Sequence, residues 1–231
     1  MARPQRFTLV IARTAAELDA VYRLRHDIYV SQMGLLPADH PYCHEGRLRD
    51  PYDARSQQYL LLHDGEAVGT LRATEAGQGS LEIERYRPID AHCADRAQAA
   101  ELTRFMVKAE WRCPMATAML LCGAAEHLMS RGITEIYGAG KLGSLGRYYR
   151  ALGARMLDPT PFAYELIPGC RYQLIRVSLG APGSWQRLRT RLWSALVLLL
   201  GTRFPALANR IFKRGQSARS RARVRPEAHA S

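Results

Sequence analysis

The chain has 231 residues, 47% of them apolar and 23% charged, an ordinary globular composition with enough apolar mass for one well-filled domain or two small ones. Its formal charge of +12 sits at one end: residues 185–231 hold eleven bases against one acid, Glu227, leaving 22 bases and 20 acids before Trp185. The longest uncharged apolar-rich run, Leu192–Thr202, is far short of the ~20 residues a bilayer-spanning helix needs, and five cysteines without a C-x-x-C pair argue against a disulfide scaffold or zinc ribbon.

In chain order, FTLVIA (7–12) reads as a strand. TAAELDAVYRLRHDIYVSQMG (14–34) reads as an amphipathic helix, with Thr14 as N-cap and Glu17 closing a capping box before Gly34 ends it. Residues 35–57, with Pro37, Pro41 and Pro51, form a long loop of the kind that is functional or disordered. QQYLLLH (57–63), a DGE turn and AVGTLRAT (67–74) make a hairpin, and SLEIERYR (80–87) is expected as its third strand. Residues 97–112 are ambiguous between helix and strand. PMATAMLLCGAAEHLMSRG (114–132) is a helix with Pro at its start and Gly at its end. A strand ITEIYG (133–138), a glycine-rich turn, a helix SLGRYYRALG (144–153) and strands 162–167 and 171–179 follow. The pattern predicts an α/β chain with a mixed central sheet flanked by helices. GAPGS (180–184) divides a domain of residues 1–180 from a basic tail of residues 181–231. With no long apolar stretch in MARPQRFTLVIAR, a reduced, cytoplasmic protein is expected.

Several motifs carry chemistry. GAGKLG (138–143) matches G-x-G-x-x-G after a strand, but no acid other than Asp158 lies about twenty residues on, so a turn whose backbone N–H groups face another ligand is preferred to a dinucleotide site. HPYCHE (40–45) and His92–Cys93 offer metal-binding types without a standard spacing, and no metal is expected. The segment AAELTRFMVK (99–108) places Glu101 and Arg104 inside an apolar run. On a helix they would share a face; on a strand they would point to opposite sides and need separate partners. DPYD (50–53) taken alone is a turn signal.

Taken together, RLRHDIYVSQMG (23–34), DPYD (50–53), VGTLR (68–72) and ELTRFMV (101–107) resemble the acyl-homoserine-lactone synthases, the quorum-sensing autoinducer synthases, over roughly residues 8–180. The resemblance implies an acetyltransferase-like (GNAT-type) N-acyltransferase fold followed by a basic C-terminal tail helix. It assigns Glu101, Arg104 and Arg25 to catalysis and Asp50, Asp53, Arg72 and Tyr29 to the substrate. It also makes 97–112 a strand, with Glu101 turned toward the amine and Arg104 toward the acids of the long loop. Three departures stand in the amine-enclosing region: Tyr29 replaces the family's Phe, Leu35 its Trp, and the loop before Asp50 is longer than is usual in the family. A related group, the long-chain N-acyl amino acid synthases, tolerates them better.

The implied reaction is attack of a primary α-amine on an acyl thioester of acyl carrier protein or coenzyme A, with no bound cofactor. S-adenosylmethionine is the expected amine and an N-acyl-homoserine lactone the product; an N-acyl amino acid is the alternative. An α-amine titrates near 8, so a base is needed, and Glu101 is the candidate. For the donor, Gly138 and Gly140 are expected beside the pantetheine arm, and Lys108 and Arg112 as docking charges for an acidic carrier protein. Met115, Met119, Leu120, Leu121 and Met129 would line an acyl channel if they are not plain core. The tail from Trp185 mixes bases with Trp185, Trp193, Phe204 and Phe212, a composition suited to an anionic membrane interface and a peripheral place on the inner membrane. Its rivals are a helix packed on the domain and a nucleic-acid arm, the latter unsupported by any recognition motif. A third reading keeps the fold without catalysis, as a membrane-surface or lipid-binding protein.

Overall fold

Residues 6–142, 153–164 and 167–203 are described by the structure, a computed structural model. Alternating apolar residues set β1 (Phe7–Ala12). The Thr14 hydroxyl accepts the Glu17 N–H (3.2 Å) while the Glu17 carboxylate accepts the Thr14 N–H (2.9 Å), the capping box that starts α1 (Ala15–His26). The helix widens into a π-helical turn over Asp27–Gln32 and ends at Gly34, at φ +58°. The long loop contains a short hairpin, Cys43–His44 against Arg47–Leu48, and a 3-10 turn, Pro51–Arg55. β2 (Ser56–His63) and β3 (Glu66–Glu75) form the expected hairpin around Asp64 and Gly65, both at positive φ as a type I′ turn demands.

The remaining elements are β4 (Ala99–Val107), α2 (Pro114–Ser130), β5 (Glu135–Lys141), β6 (Arg155–Met156), β7 (Phe162–Tyr164), β8 (Ile167–Ser178) and α3 (Trp185–Arg203). They complete an eight-stranded sheet in the order β1-β2-β3-β4-β5-β8-β6, with β7 also paired to β8. Among the described pairs, β4–β5 alone is parallel, and its ladder is brief: Ala99 faces Glu135, Ala100 faces Ile136 and Glu101 faces Tyr137. Past Glu101 and Tyr137 the two strands splay. One core, with Val21, Leu24, Ile28, Ile83 and Met106, lies on the α1 face of the sheet; the other, with Leu61, Leu71, Ala100, Met115 and Leu120, lies on the α2 face.

Three local expectations are corrected, and the methionines of α2 take the plain-core alternative. Residues 80–87 are not a strand: Glu82–Arg85 is a 3-10 turn. The alternation of apolar Leu81 and Ile83 with charged Glu82 and Glu84 imitates strand periodicity, but the N–H groups of Glu82 and Ile83 are taken by the Glu101 carboxylate instead of a neighbouring strand. Gly138 and Gly140 are not in a turn, because β5 runs to Lys141 and pairs Gly138 with Ile175 and Gly140 with Gln173. The methionines of α2 are core on the face of the sheet opposite Glu101, so Met115, Met119 and Met129 do not line a channel at that residue. Glu101 and Arg104 do not point to opposite sides, because the β3–β4 register shifts between Thr103 and Met106, where Arg104 lies. Most of the helix expected at 144–153 lies outside the described residues.

Candidate active site

Glu101 and Thr103 alternate on β4 toward the α1 face, where Thr103 faces Arg72 across the β3 ladder. Regular alternation would send residue 104 to the other face. Instead the register slips: Arg72 pairs with Thr103 but Thr70 pairs with Met106, leaving one extra residue on β4. Arg104 sits in that bulge at φ +51°, a conformation that costs a non-glycine residue about 1–2 kcal/mol. The bulge turns its guanidinium to the same side as Glu101, while Phe105 faces solvent.

Around this pair the chain gathers a buried ionic cluster. Arg25, from the last turn of α1, donates to Asp53 (2.7 Å) and to Gln58 on β2. Arg72 donates to Asp50 (2.6 Å), Asp53 (3.1 Å), Glu82 and the Thr103 hydroxyl (2.9 Å). Among the described residues, Arg104 donates through Nη2 to Asp50 (2.6 Å) and Glu82 (2.9 Å). DPYD is thus more than a turn. The Asp50 carboxylate caps the Tyr52 N–H (2.9 Å) and the Asp53 carboxylate accepts the Asp50 N–H (2.8 Å), so each acid is fixed by the turn and by two arginines. The Glu101 carboxylate accepts the N–H groups of Glu82 (2.7 Å) and Ile83 (3.0 Å).

Three guanidinium groups therefore meet four carboxyls, all but sealed from water. With all four carboxyls ionised one negative charge would be in excess, and Glu101, the carboxyl with no ion pair among its described contacts, is the one that relieves it by holding a proton. Burial first, and then the nearby Glu82 charge, outweigh Arg72 and the backbone donors and push Glu101 up to about 8. Asp53 shows the opposite balance: burial pushes it up, but Arg25 and Arg72 bring it down to about 2. Asp50 is held below its ordinary value against the same burial by Arg104 and Arg72. Arg104 stays firmly protonated although burial opposes it, because Glu82, Tyr29, Asp50 and Tyr164 all favour its charge.

Tyr29, in the π-helical turn, and Tyr164, on β7, wall the cluster. Tyr164 stacks on Tyr86 (4.8 Å between ring centres), and Tyr86 stacks on Phe162 (5.3 Å). Burial and the Glu101 and Glu82 charges drive the Tyr164 hydroxyl well above its ordinary range, keeping it a neutral hydrogen-bonding group.

Arg25, Asp50, Asp53, Arg72, Glu101 and Arg104, singled out from sequence, all meet here, with Tyr29 at the edge. Two members escaped the sequence reading, Glu82 and Gln58. The signal for Glu82 was the same as for Glu101, a charge between two core residues, Leu81 and Ile83. The four expected donor residues lie elsewhere. Gly138 and Gly140 are on the β5 side of the splay, beyond the last pair at Glu101–Tyr137. A side chain at Gly138 would press on the Leu102 carbonyl at 3.3 Å. Lys108 directly follows β4, roughly 20 Å from Glu101 at about 3.3 Å per strand residue, and Arg112 comes after a 3-10 turn, Ala109–Trp111. Lys108 is paired with Glu66 (2.7 Å) and Arg112 bonds the Val107 carbonyl (3.1 Å). Among the described residues no group of three His, Cys, Asp or Glu side chains is placed to hold a metal ion.

The family model for N-acyl amino acid synthase FeeM matches residues 20–178, a span that contains every residue of this cluster. The chain belongs to the FeeM N-acyl amino acid synthase family. Membership makes it an acyltransferase of the expected kind, and solved structures agree on the fold. TofI, crystallised with an inhibitor and MTA, is 24% identical over 80% of this chain and 96% of that one, with a TM-score of 0.59. BjaI, a CoA-dependent acyl-homoserine lactone synthase solved with SAM and isopentyl-CoA, is 19% identical over 84% and 90%, at 0.62. FeeM itself, from uncultured soil microbes, is 15% identical over 76% and 91%, at 0.60. No curated protein sequence matches the chain. The GNAT-type architecture and the autoinducer-synthase resemblance are thus both met, and the FeeM family supplies the frame for the chemistry.

Proposed function

We propose that the protein is a cytoplasmic long-chain N-acyl amino acid synthase, transferring a fatty acyl group from a carrier-protein thioester to the α-amine of an amino acid with Glu101 as base. The observation that carries this reading is Glu101 itself: a buried carboxyl with its pKa near 8, at the apex of the β4–β5 splay, in a chain of the FeeM family. A base near 8 matches an α-ammonium group of about the same pKa, so the proton passes between them at little cost. The freed amine attacks the thioester carbonyl, the nitrogen–carbon bond forms and the carbon–sulfur bond breaks. The second nitrogen proton leaves with the thiol. Arg104 commits one nitrogen to Asp50 and Glu82, and we assign the rest of its guanidinium to the substrate carboxylate.

The splay is where the thioester arm enters, along the Gly138–Gly140 edge of β5. A carrier protein rather than free coenzyme A is favoured by the start of α2. There Pro114 offers no N–H and the Ala116 N–H is taken by the Cys113 sulfur (3.4 Å), which weakens a pyrophosphate site. Lys108 and Arg112 at the mouth of the splay are the docking charges we assign to that partner.

The second reading, acylation of S-adenosylmethionine to a homoserine lactone, is favoured by the likeness to TofI and BjaI. Against it, all four carboxylate oxygens of Asp50 and Asp53 are engaged by arginines or backbone, which leaves the pair poorly placed to hold a sulfonium or ammonium group. Thiol release from fatty-acyl carrier protein, followed with a panel of amino acids and with S-adenosylmethionine, tests the proposal. Turnover with an amino acid is expected, and turnover with S-adenosylmethionine alone overturns it.

A further inference from the structure

The helix α3 shows two faces. Its inner side is clamped: Ser194, Val197 and Gly201 are buried, and Gly201 lies so close to α2 that an added Cβ would collide with the Met119 sulfur. Arg187 fixes the first turn by donating to the carbonyls of Ile133 and Gly180, both at 3.1 Å, and of Met129. Arg191 reaches Glu126 on α2 at 3.1 Å. This helix is therefore held in one orientation on the domain.

The outer side is apolar and exposed. Trp185, Leu188, Leu192, Leu196 and Leu199 recur at intervals of three and four and fall on one stripe, with exposures from 45% to 73%. Arg189 and Arg203, both exposed, fall on the same outer side by helical spacing. No acid occurs in the sequence from Leu166 to Pro226, and the sequence after residue 203 adds Arg210, Lys213, Arg214, Arg219, Arg221, Arg223 and Arg225. No described helix is long and apolar enough to cross a membrane.

We propose that the outer face of α3 docks on the surface of an anionic lipid bilayer, as a unit appended to the acyltransferase domain of residues 1–180. An exposed apolar stripe flanked by arginines is the form of a helix lying in the headgroup region, leucines inserted and cations against lipid phosphates. Charge decides against a second copy as the occupant: two such faces would bring like charges together. The position also suits the chemistry, because a fatty acylated amino acid is an amphiphile that partitions into the bilayer beside which it is made.

The test uses the full-length protein and vesicles of phosphatidylcholine alone or with one-third phosphatidylglycerol, without substrates, so that its outcome is read separately from acyl transfer. Binding about tenfold or more tighter to the anionic vesicles at low salt, and weakened by high salt, is expected. The double variant Leu192→Glu/Leu196→Glu should lose about tenfold or more of that binding, with an unchanged thermal melt and unchanged acyl transfer to soluble substrates. Equal binding to both vesicle types, no binding, or full binding by the double variant would overturn the proposal. So would a dimer in sedimentation velocity that the double variant dissolves.

Discussion

Replacing Glu82 with glutamine removes one negative charge from the buried cluster while keeping an oxygen for Arg72 or Arg104. Every consequence for Glu101 has the same sign. The direct repulsion from Glu82 disappears, and Arg72 and Arg104, each losing a carboxylate partner, act more strongly on the Glu101 carboxylate. In the wild type, with the carboxyl near 8, only about a tenth is ionised at pH 7. A drop of about one unit, a modest value for losing a like charge at close range, raises that fraction to about a half. The assay is kcat/KM from thiol release across a pH series. The acid limb should move down by about one unit, with a gain of about fivefold at pH 7 and none well above pH 8. Titration of the substrate amine enters both profiles equally and cancels in the comparison. A wild-type limb near 4.5, or a folded Glu82→Gln enzyme whose limb stays or rises, would refute the reasoning.

Arg104→Ala leaves Asp50 and Glu82 each short of a buried partner and should cost about 3–5 kcal/mol in urea unfolding, beyond its effect on turnover. Asp53, lowered in the folded state from 3.8 to about 2, contributes stability that is fully present above pH 3.8 and lost as pH falls through about 2. Asp53→Asn should flatten that acid limb of stability, and urea unfolding across pH 2–5 checks it. Gly201→Val forces a side chain onto the sulfurs of Met119 and Met115, and a loss of about 1–3 kcal/mol in thermal or urea unfolding is expected.

The sheet core and the two main helices were legible because their signals are local. The Thr14–Glu17 capping box, the Asp64–Gly65 turn and the apolar helix after Pro114 each need no information from the rest of the chain. The cluster was legible in most of its members, Glu82 and Gln58 excepted, but not in its wiring. Arg25, Asp50, Arg72 and Arg104 are far apart in sequence, and family likeness rather than periodicity joined them. What failed depends on tertiary context. A one-residue bulge moved Arg104 across the sheet, and no sequence pattern marks a non-glycine residue at positive φ. Residues 80–87 lost their strand because the Glu101 carboxylate takes their N–H groups. The glycines at 138 and 140 looked like a phosphate turn, yet they serve a strand that runs past its neighbour into the splay.

The most direct test of the central claim is mass spectrometry of the product formed from purified protein, fatty-acyl carrier protein, an amino acid mixture and S-adenosylmethionine offered together. Glu101-dependent formation of an N-acyl amino acid with a free carboxylate, without methylthioadenosine, is the predicted result. An acyl-homoserine lactone with equimolar methylthioadenosine, or the same acyl amino acid at wild-type rate from Glu101→Gln, would contradict it.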